Sequence, residues 1–264
     1  MADFLSKIIK HKKAEVAARQ REKPLAAVSA ENGGGRRRRP FFDRLRSPGP
    51  SGVNIVAEIK RASPSKGPLC LQLDPAAMAA RYESGGAAAL SVLTDEAFFR
   101  GSLDDLRTAR AACRLPVLRK DFVVSSYQLY ETAAAGADAV LLIVRVLSPA
   151  QLCDYLALCR ELSLDTLVEV HAAGELETAV AAGARLVGIN NRNLASFNTD
   201  IGRAVSLSKR LGPRQVPLAA SGIGGRADIE SNLAAGIFNF LIGESLVKSA
   251  DPVAFLKTLQ GVPA

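Results

Sequence analysis

From Val53 onward the chain alternates short β-branched or apolar runs with Ala/Leu/Glu/Arg-rich stretches of helical length, the pattern of repeated βαβ units around a parallel sheet. Eight such runs can be counted: 53–60, 88–93, 116–120, 139–144, 166–170, 186–190, 216–221 and 238–242. Recurrent phrases, Gly85-Gly86-Ala87, Ala135-Gly136-Ala137, Ala182-Gly183-Ala184 and Ala235-Gly236, fall where helices should end, and each supplies a glycine for the C-cap. Asp74-Pro75, Ser102-Leu103-Asp104-Asp105, Ser148-Pro149 and Asp251-Pro252 mark helix starts. Eight units in a chain of 264 residues favour an α/β fold of the (β/α)8 TIM-barrel class over an open doubly wound sheet. The turn after the first run, Lys60 to Gly67, lacks the G-x-G-x-x-G of a dinucleotide-binding sheet.

The region before Val53 differs in composition. Residues 1–50 hold 13 Lys/Arg against 5 Asp/Glu, whereas residues 51–264 hold 21 of each, so the whole net charge of +8 belongs to the arm. The expected organisation is an N-terminal helical extension and basic linker over 1–50, then the barrel over 51–264. Phe4, Leu5, Ile8, Ile9 and Val16 give Asp3–Ala27 helical spacing, and Phe41, Phe42 and Leu45 form a second short piece able to plug one barrel end. The run Arg36–Arg39 reads as a solvated surface segment, and the Gly33–Arg39 stretch as flexible. No nucleic-acid partner is expected. No apolar run reaches the ~18 residues that span a bilayer, so no membrane partner is expected either. Cys70, Cys113, Cys153 and Cys159 show no C-x-x-C spacing, and no N-terminal stretch joins a basic start to an apolar core, which points to a reduced, cytoplasmic chain. With only His11 and His171, no metal site and no cofactor are expected, and acid-base chemistry falls to Lys and Glu.

Strands of a parallel barrel are buried on both faces, so charges belong at their C-terminal ends, where the active site opens. The charges cluster there: Glu58-Ile59-Lys60, Arg119-Lys120-Asp121, Glu169-Val170-His171 and Asn190-Asn191-Arg192. Residues two apart share a face, which directs Glu58 with Lys60, and Asn190 with Arg192, at one mouth, joined by Lys120 and Glu169. Two lysines and two glutamates in one cavity shift each other's acidities in opposite directions, as a proton donor and acceptor require. Glycine-rich phrases after the last two strands, Ser221-Gly222-Ile223-Gly224-Gly225 and Gly243-Glu244-Ser245, let backbone amides approach a phosphate dianion. Pro64, Phe98, Phe99, Phe122 and Leu194 sit near the same mouth and suit an apolar portion of a ligand.

At these residues the chain resembles indole-3-glycerol phosphate synthase. The matching phrases are Ala57 to Gly67, Ser91-Val92-Leu93-Thr94-Asp95, Arg119-Lys120-Asp121-Phe122, Val168-Glu169-Val170-His171, Gly188 to Leu194, Ser221-Gly222-Ile223 and Leu241-Ile242-Gly243-Glu244. The resemblance implies closure of an indole ring from a phosphorylated anthranilate-ribulose adduct in tryptophan biosynthesis. It implies Lys120 as general acid and Glu169 as general base, with Asn190 positioning the base or the substrate hydroxyls. Glu58, Lys60 and Ser221 complete the implied catalytic set, Lys60 either gripping phosphate and carboxylate or donating the proton for dehydration. Arg192, Ser221, Gly222, Gly243, Glu244 and Ser245 are implied to contact the sugar and phosphate, Phe98, Phe122, Leu141 and Leu194 the anthranilate ring, and Ser63 and Pro64 are further implied substrate contacts. The family commonly carries Glu before its Ser-Gly-Ile phrase, whereas this chain has Ala220, which implies that Glu58 must balance both Lys60 and Lys120. The expected partner is a phosphorylated small molecule bound by a monomer, with docking on other tryptophan-pathway enzymes left open. Phosphoribosylanthranilate isomerase, another phosphate-binding barrel, pairs Cys with Asp at strand ends, and no Cys ends an expected strand here. A silent barrel using its basic arm to bind RNA or acidic partners would lack these strand-end polar residues.

Overall fold

Eight parallel strands close on themselves in the computed structural model, which describes residues 4–31, 38–192 and 199–263. The strands are β1 (Asn54–Ile59), β2 (Ala89–Leu93), β3 (Val117–Lys120), β4 (Ala139–Ile143), β5 (Asp165–Val170), β6 (Leu186–Asn190), β7 (Val216–Ala220) and β8 (Asn239–Ile242). Each pairs with its sequence neighbour, and β8 pairs with β1 to complete the barrel. All eight expected runs are strands, shorter than expected by a residue or two at one or both ends in most cases. A small antiparallel hairpin, Ala62–Ser63 with Gly67–Pro68, lies in the turn after β1 and was not expected.

The alternation of inward and outward residues divides the core in two. Val56, Ala89, Leu118, Ala139, Leu141, Ile143, Leu167, Leu186, Leu218, Ala220 and Leu241 fill the barrel interior. Their neighbours one residue away, such as Ile55, Ala57, Leu90, Val140 and Val168, pack against the helical shell. The expected caps hold: the side chains of Asp74, Ser102 and Asp251 accept from the first turns of their helices, and Ser148 with Gln151 forms a reciprocal capping box. At the first Gly-Gly phrase the left-handed residue is Gly86 and not Gly85.

The N-terminal region makes two helices, α1 (Phe4–Glu22) and α2 (Leu25–Ala30), where one had been expected over 3–27. Pro24 separates them, because its ring cannot continue a helix but suits the start of one. Next comes α3 (Phe41–Leu45), whose Phe41 and Leu45 are fully buried in the barrel interior, as a plug requires. The N–H of Phe42 donates to Asp165 Oδ2 at the start of β5, which places α3 at the N-terminal end of the barrel.

The basic linker departs from expectation. Within the Gly33–Arg39 stretch only Arg38 and Arg39 lie among the described residues, and both are tied down. Arg38 donates to the carbonyls of Ala137 (2.6 Å) and Ala133 (3.2 Å). Arg39 donates to the carbonyls of Leu115 (2.7 Å) and Arg110 (3.1 Å), and its own N–H to Asp138 Oδ1. These two guanidinium groups are a strap on the barrel floor rather than solvated charge. Carbonyl groups at helix ends need partners, and an arginine fork supplies several donors at once.

Candidate active site

The inward positions of successive strands end in polar side chains at one mouth. Glu58 closes the inner face of β1, Lys120 that of β3, Glu169 that of β5 and Asn190 that of β6, while Lys60 and Arg192 lie two residues beyond Glu58 and Asn190. Together they line a cavity of about 470 Å³, within the range of ligand-sized pockets. Leu93, Phe122, Leu141, Ile143, Ala220 and Leu241 form its apolar wall.

Charges inside the cavity are paired. Lys60 Nζ lies 2.8 Å from Glu58 Oε1, and Lys120 Nζ lies 3.6 Å from Glu169 Oε2. Asn190 Nδ2 donates to Glu169 Oε1 at 3.2 Å, and Ser91 Oγ reaches Glu58 Oε2 at 3.4 Å. Burial alone would raise the pKa of Glu169, but Lys120, then His171 and Asn190, outweigh it and hold this carboxyl below the usual range. Glu169 is therefore an ionised acceptor beside an ammonium donor. The charge balance also differs from the sequence expectation: Glu58 serves Lys60 alone, and Glu169 balances Lys120. Ala220 sits between Asn190 and Leu241 in register and adds only a methyl group to the wall.

Opposite this pair the backbone takes over. Ser221 and Gly222 both adopt left-handed conformations, φ 68° and 81°, and a Cβ on Gly222 would come within 2.3 Å of Thr199 Cγ2. Asn191, fully buried, holds the bend by donating to the Ser221 carbonyl at 3.1 Å. Asp228 accepts from the amides of Gly224 and Gly225, and Ser245 Oγ donates to the Ile223 carbonyl, joining the two loops. Gly243 precedes the short helix Glu244–Lys248, and a Cβ there would meet Glu58 Oε1 at 2.5 Å and Lys60 Nζ at 3.0 Å. Gly243→Ala is accordingly expected to displace the Glu58–Lys60 pair and raise KM roughly tenfold, from an overpacking cost of about 1–2 kcal/mol. A substrate titration checks this, and an unchanged KM would contradict it.

Among the described residues, Ser63 Oγ and Arg192 Nε of the cavity lining are buried polar atoms without a hydrogen-bond partner. Arg192 otherwise donates to Ser65 Oγ at 2.5 Å and lies 3.6 Å from Glu244 Oε2, while Lys248 binds the other oxygen, Glu244 Oε1, at 2.7 Å. An unmade buried hydrogen bond costs about 1–3 kcal/mol, so both atoms favour a bound acceptor.

Most of the expected site residues meet at this cavity: Glu58, Lys60, Ser63, Pro64, Lys120, Phe122, Leu141, Glu169, Asn190, Arg192, Ser221, Gly222, Gly243, Glu244 and Ser245. Leu194 lies outside the described residues. Phe98 does not line the cavity: its ring packs edge-on against Phe4 and His11 of α1, at 5.8 and 5.5 Å. Adjacent helical residues point about 100° apart, and in the turn Glu96–Phe99 it is Phe99 that faces the cavity, 6.2 Å from the Phe122 ring. Sequence reasoning anticipated the N-terminal helix but not its part in the cavity, where Phe4, Leu5 and Ile8 of α1 complete the wall. That helix is fixed by Lys12, fully buried, whose Nζ lies 2.8 Å from Asp95, 3.1 Å from Asp121 and 3.0 Å from Glu15. Lys12 follows Ile8 and precedes Val16 by four residues, so its place in the buried stripe was the available signal.

Paired ammonium and carboxylate groups facing glycine-rich loops at the C-terminal mouth define an enzyme of the (β/α)8-barrel class. A family model described as indole-3-glycerol phosphate synthase matches residues 5–259. The chain belongs to that family. A relative named indole-3-glycerol phosphate synthase from Desulfosudis oleivorans is 58% identical over 98% of this chain and 99% of its own length. Another of the same name from Syntrophobacter fumaroxidans is 52% identical over the full length of both. Among solved structures, the N-acetylmannosamine-6-phosphate 2-epimerase from Clostridium perfringens superposes with a TM-score of 0.62 at 13% identity, over 81% of this chain and 93% of that one, a likeness of fold alone.

Proposed function

We propose that this cavity converts 1-(2-carboxyphenylamino)-1-deoxyribulose 5-phosphate to indole-3-glycerol phosphate, with Lys120 and Glu169 as the acid-base pair. The observation that carries this reading is their buried 3.6 Å pairing across the cavity from the two glycine-rich loops. The substrate phosphate sits against Ser221, Gly222, Gly243 and Ser245, where the bent backbone permits close approach and Arg192 and Lys60 supply positive charge. Ser63 Oγ and Arg192 Nε gain the acceptors they lack. The anthranilate ring lies on Phe122, Leu141 and the apolar wall.

In that pose Lys120 donates a proton to the ketone oxygen as the ring carbon bearing the carboxylate attacks the carbonyl carbon, forming the new carbon-carbon bond. Loss of CO2 returns its bonding electrons to the benzene ring. Protonated by one of the two cavity ammonium groups, Lys60 or a reprotonated Lys120, the hydroxyl leaves as water, and Glu169 takes the proton whose loss completes the aromatic five-membered ring. Asn190 keeps Glu169 aligned, and Glu58 holds Lys60 in place beside Gly243, at the phosphate side of the cavity. Among the described residues no helix is long and apolar enough to cross a membrane, and four free thiols accord with a reduced cytoplasmic setting. Incubating the purified protein with the carboxyphenylamino-deoxyribulose phosphate should give the fluorescence of an indole. Absence of signal at micromolar enzyme would overturn the assignment.

A further inference from the structure

His171 stands two residues beyond Glu169 on the strand that carries the base, and its side chain is only 2% exposed. Its Nε2 lies 3.5 Å from Glu169 Oε1, and its Nδ1 lies 3.3 Å from Glu175 Oε2. Glu175 belongs to the first turn of the helix Ala173–Ala181. The same Glu175 oxygen accepts from the His171 backbone N–H at 2.8 Å, and the other oxygen accepts from Arg145 Nε at 2.8 Å. Burial works against the charged form of Glu175, but hydrogen bonds from the His171 ring and backbone, then Arg145, outweigh it and hold the carboxyl at about 2. Glu175 is thus a permanent anion anchored at both ends. Each ring nitrogen of His171 faces a carboxylate oxygen, Nδ1 that of Glu175 and Nε2 that of Glu169. Nε2 has no hydrogen-bond partner at its present separation, and Glu169 is the acceptor within reach.

We infer that His171 is a positioning residue for the reaction: its ring, anchored by Glu175, which Arg145 holds in turn, orients the Glu169 carboxylate. The inference rests on the reading of Glu169 as the base. The pair is enclosed by charged and polar groups from every neighbouring element: Lys120 from β3, Arg145 from the turn after β4, Asn190 from β6 and Glu175 from the following helix. Lys120 faces Oε2 of the base, while Asn190 and His171 face Oε1, so each carboxylate oxygen has a polar neighbour. A base of this kind is aimed before substrate arrives, by the same logic in which outer ligands orient a reactive group.

The test compares His171→Ala, His171→Gln and His171→Asn. Glutamine places an amide nitrogen near the Nε2 position, facing Glu169, whereas asparagine places one near Nδ1, facing Glu175 only. His171→Ala is expected to lose about tenfold or more in kcat with KM within about twofold, and to move the acid limb of the kcat profile upward, because one of the charges that lowers Glu169 is gone. His171→Gln should recover most of kcat, and His171→Asn should not. If asparagine rescues as well as glutamine, or if the acid limb and kcat stay unchanged in His171→Ala, the inference is overturned. Should the alanine variant fail to fold, as thermal melting would reveal, the Gln and Asn variants decide the matter between them. Glu169→Gln is measured alongside: near-native turnover there would remove the base assignment itself, whereas an inactive Glu169→Gln beside an unaffected His171→Ala removes only the role of His171.

Discussion

Lys120→Met is expected to lower kcat by roughly 10³-fold or more while a product analogue still binds within about tenfold of its normal affinity. Methionine keeps the length and apolar stem of the side chain but cannot donate the proton that the ketone oxygen needs as the ring carbon attacks. That demand exists chiefly in the transition state, so binding of the ground state should be nearly preserved. The variant should also shift the pH profile. Burial raises the pKa of Glu169 and Lys120 is the foremost group opposing it, so without the ammonium the residual activity should begin to fall at a higher pH on the acid side. Steady-state kinetics and a fluorescence titration with the analogue separate the outcomes. An affinity loss as large as the rate loss would reassign Lys120 to substrate gripping.

Lys12→Met is expected to destabilise the fold by about 3–5 kcal/mol, since it removes one member of a buried ionic cluster and leaves Asp95 and Glu15 without their ammonium. For a chain of this size that corresponds to a fall in Tm of roughly 10 °C. Burial opposes ionisation of Asp121, but Arg119, then Lys12 and the Thr94 hydroxyl, hold it at about 2. A carboxyl depressed in the folded state contributes stability above its unfolded value near 3.8, and that stability is lost as pH falls toward 2. Losing Lys12 raises the folded value, so acid unfolding of the variant should begin at higher pH. Because Phe4, Leu5 and Ile8 of the same helix wall the cavity, KM should rise as well. Thermal melts at neutral and acid pH check this, and a Tm within 2 °C of normal would contradict the clamp, as the cost of a broken buried pair should far exceed that.

The barrel was legible because its signals are local. Alternation along eight short runs separates Val56 and Glu58, facing inward, from Ile55 and Ala57, facing the helices, and the same alternation places Glu169 and Asn190 at the mouth. Caps such as Ser148 with Gln151 announce themselves within four residues. What escaped depends on distant partners. Arg39 binds carbonyls some 70 residues away, which no local pattern encodes, so a strap read as loose charge. The choice between Phe98 and Phe99 turns on the phase of a single helical turn, and α1 competes for the former ring. Lys12 read as one more basic residue of the arm, although its spacing from Ile8 and Val16 places it in the buried stripe. Arg119 and Asp121 ended a strand beside Lys120, yet they pair with each other, and Asp121 with Lys12, in a buried cluster beneath α1.

The placement of phosphate at β7 and β8 and of bond-making at β3 and β5 is tested most directly by a crystal structure with indole-3-glycerol phosphate bound. The account predicts phosphate oxygens on the amides and side chains of Ser221, Gly222, Gly243 and Ser245, and the indole ring against Phe122 and Leu141 with its five-membered edge between Lys120 and Glu169. A phosphate at Lys120, with the ring turned toward Gly222, would contradict it.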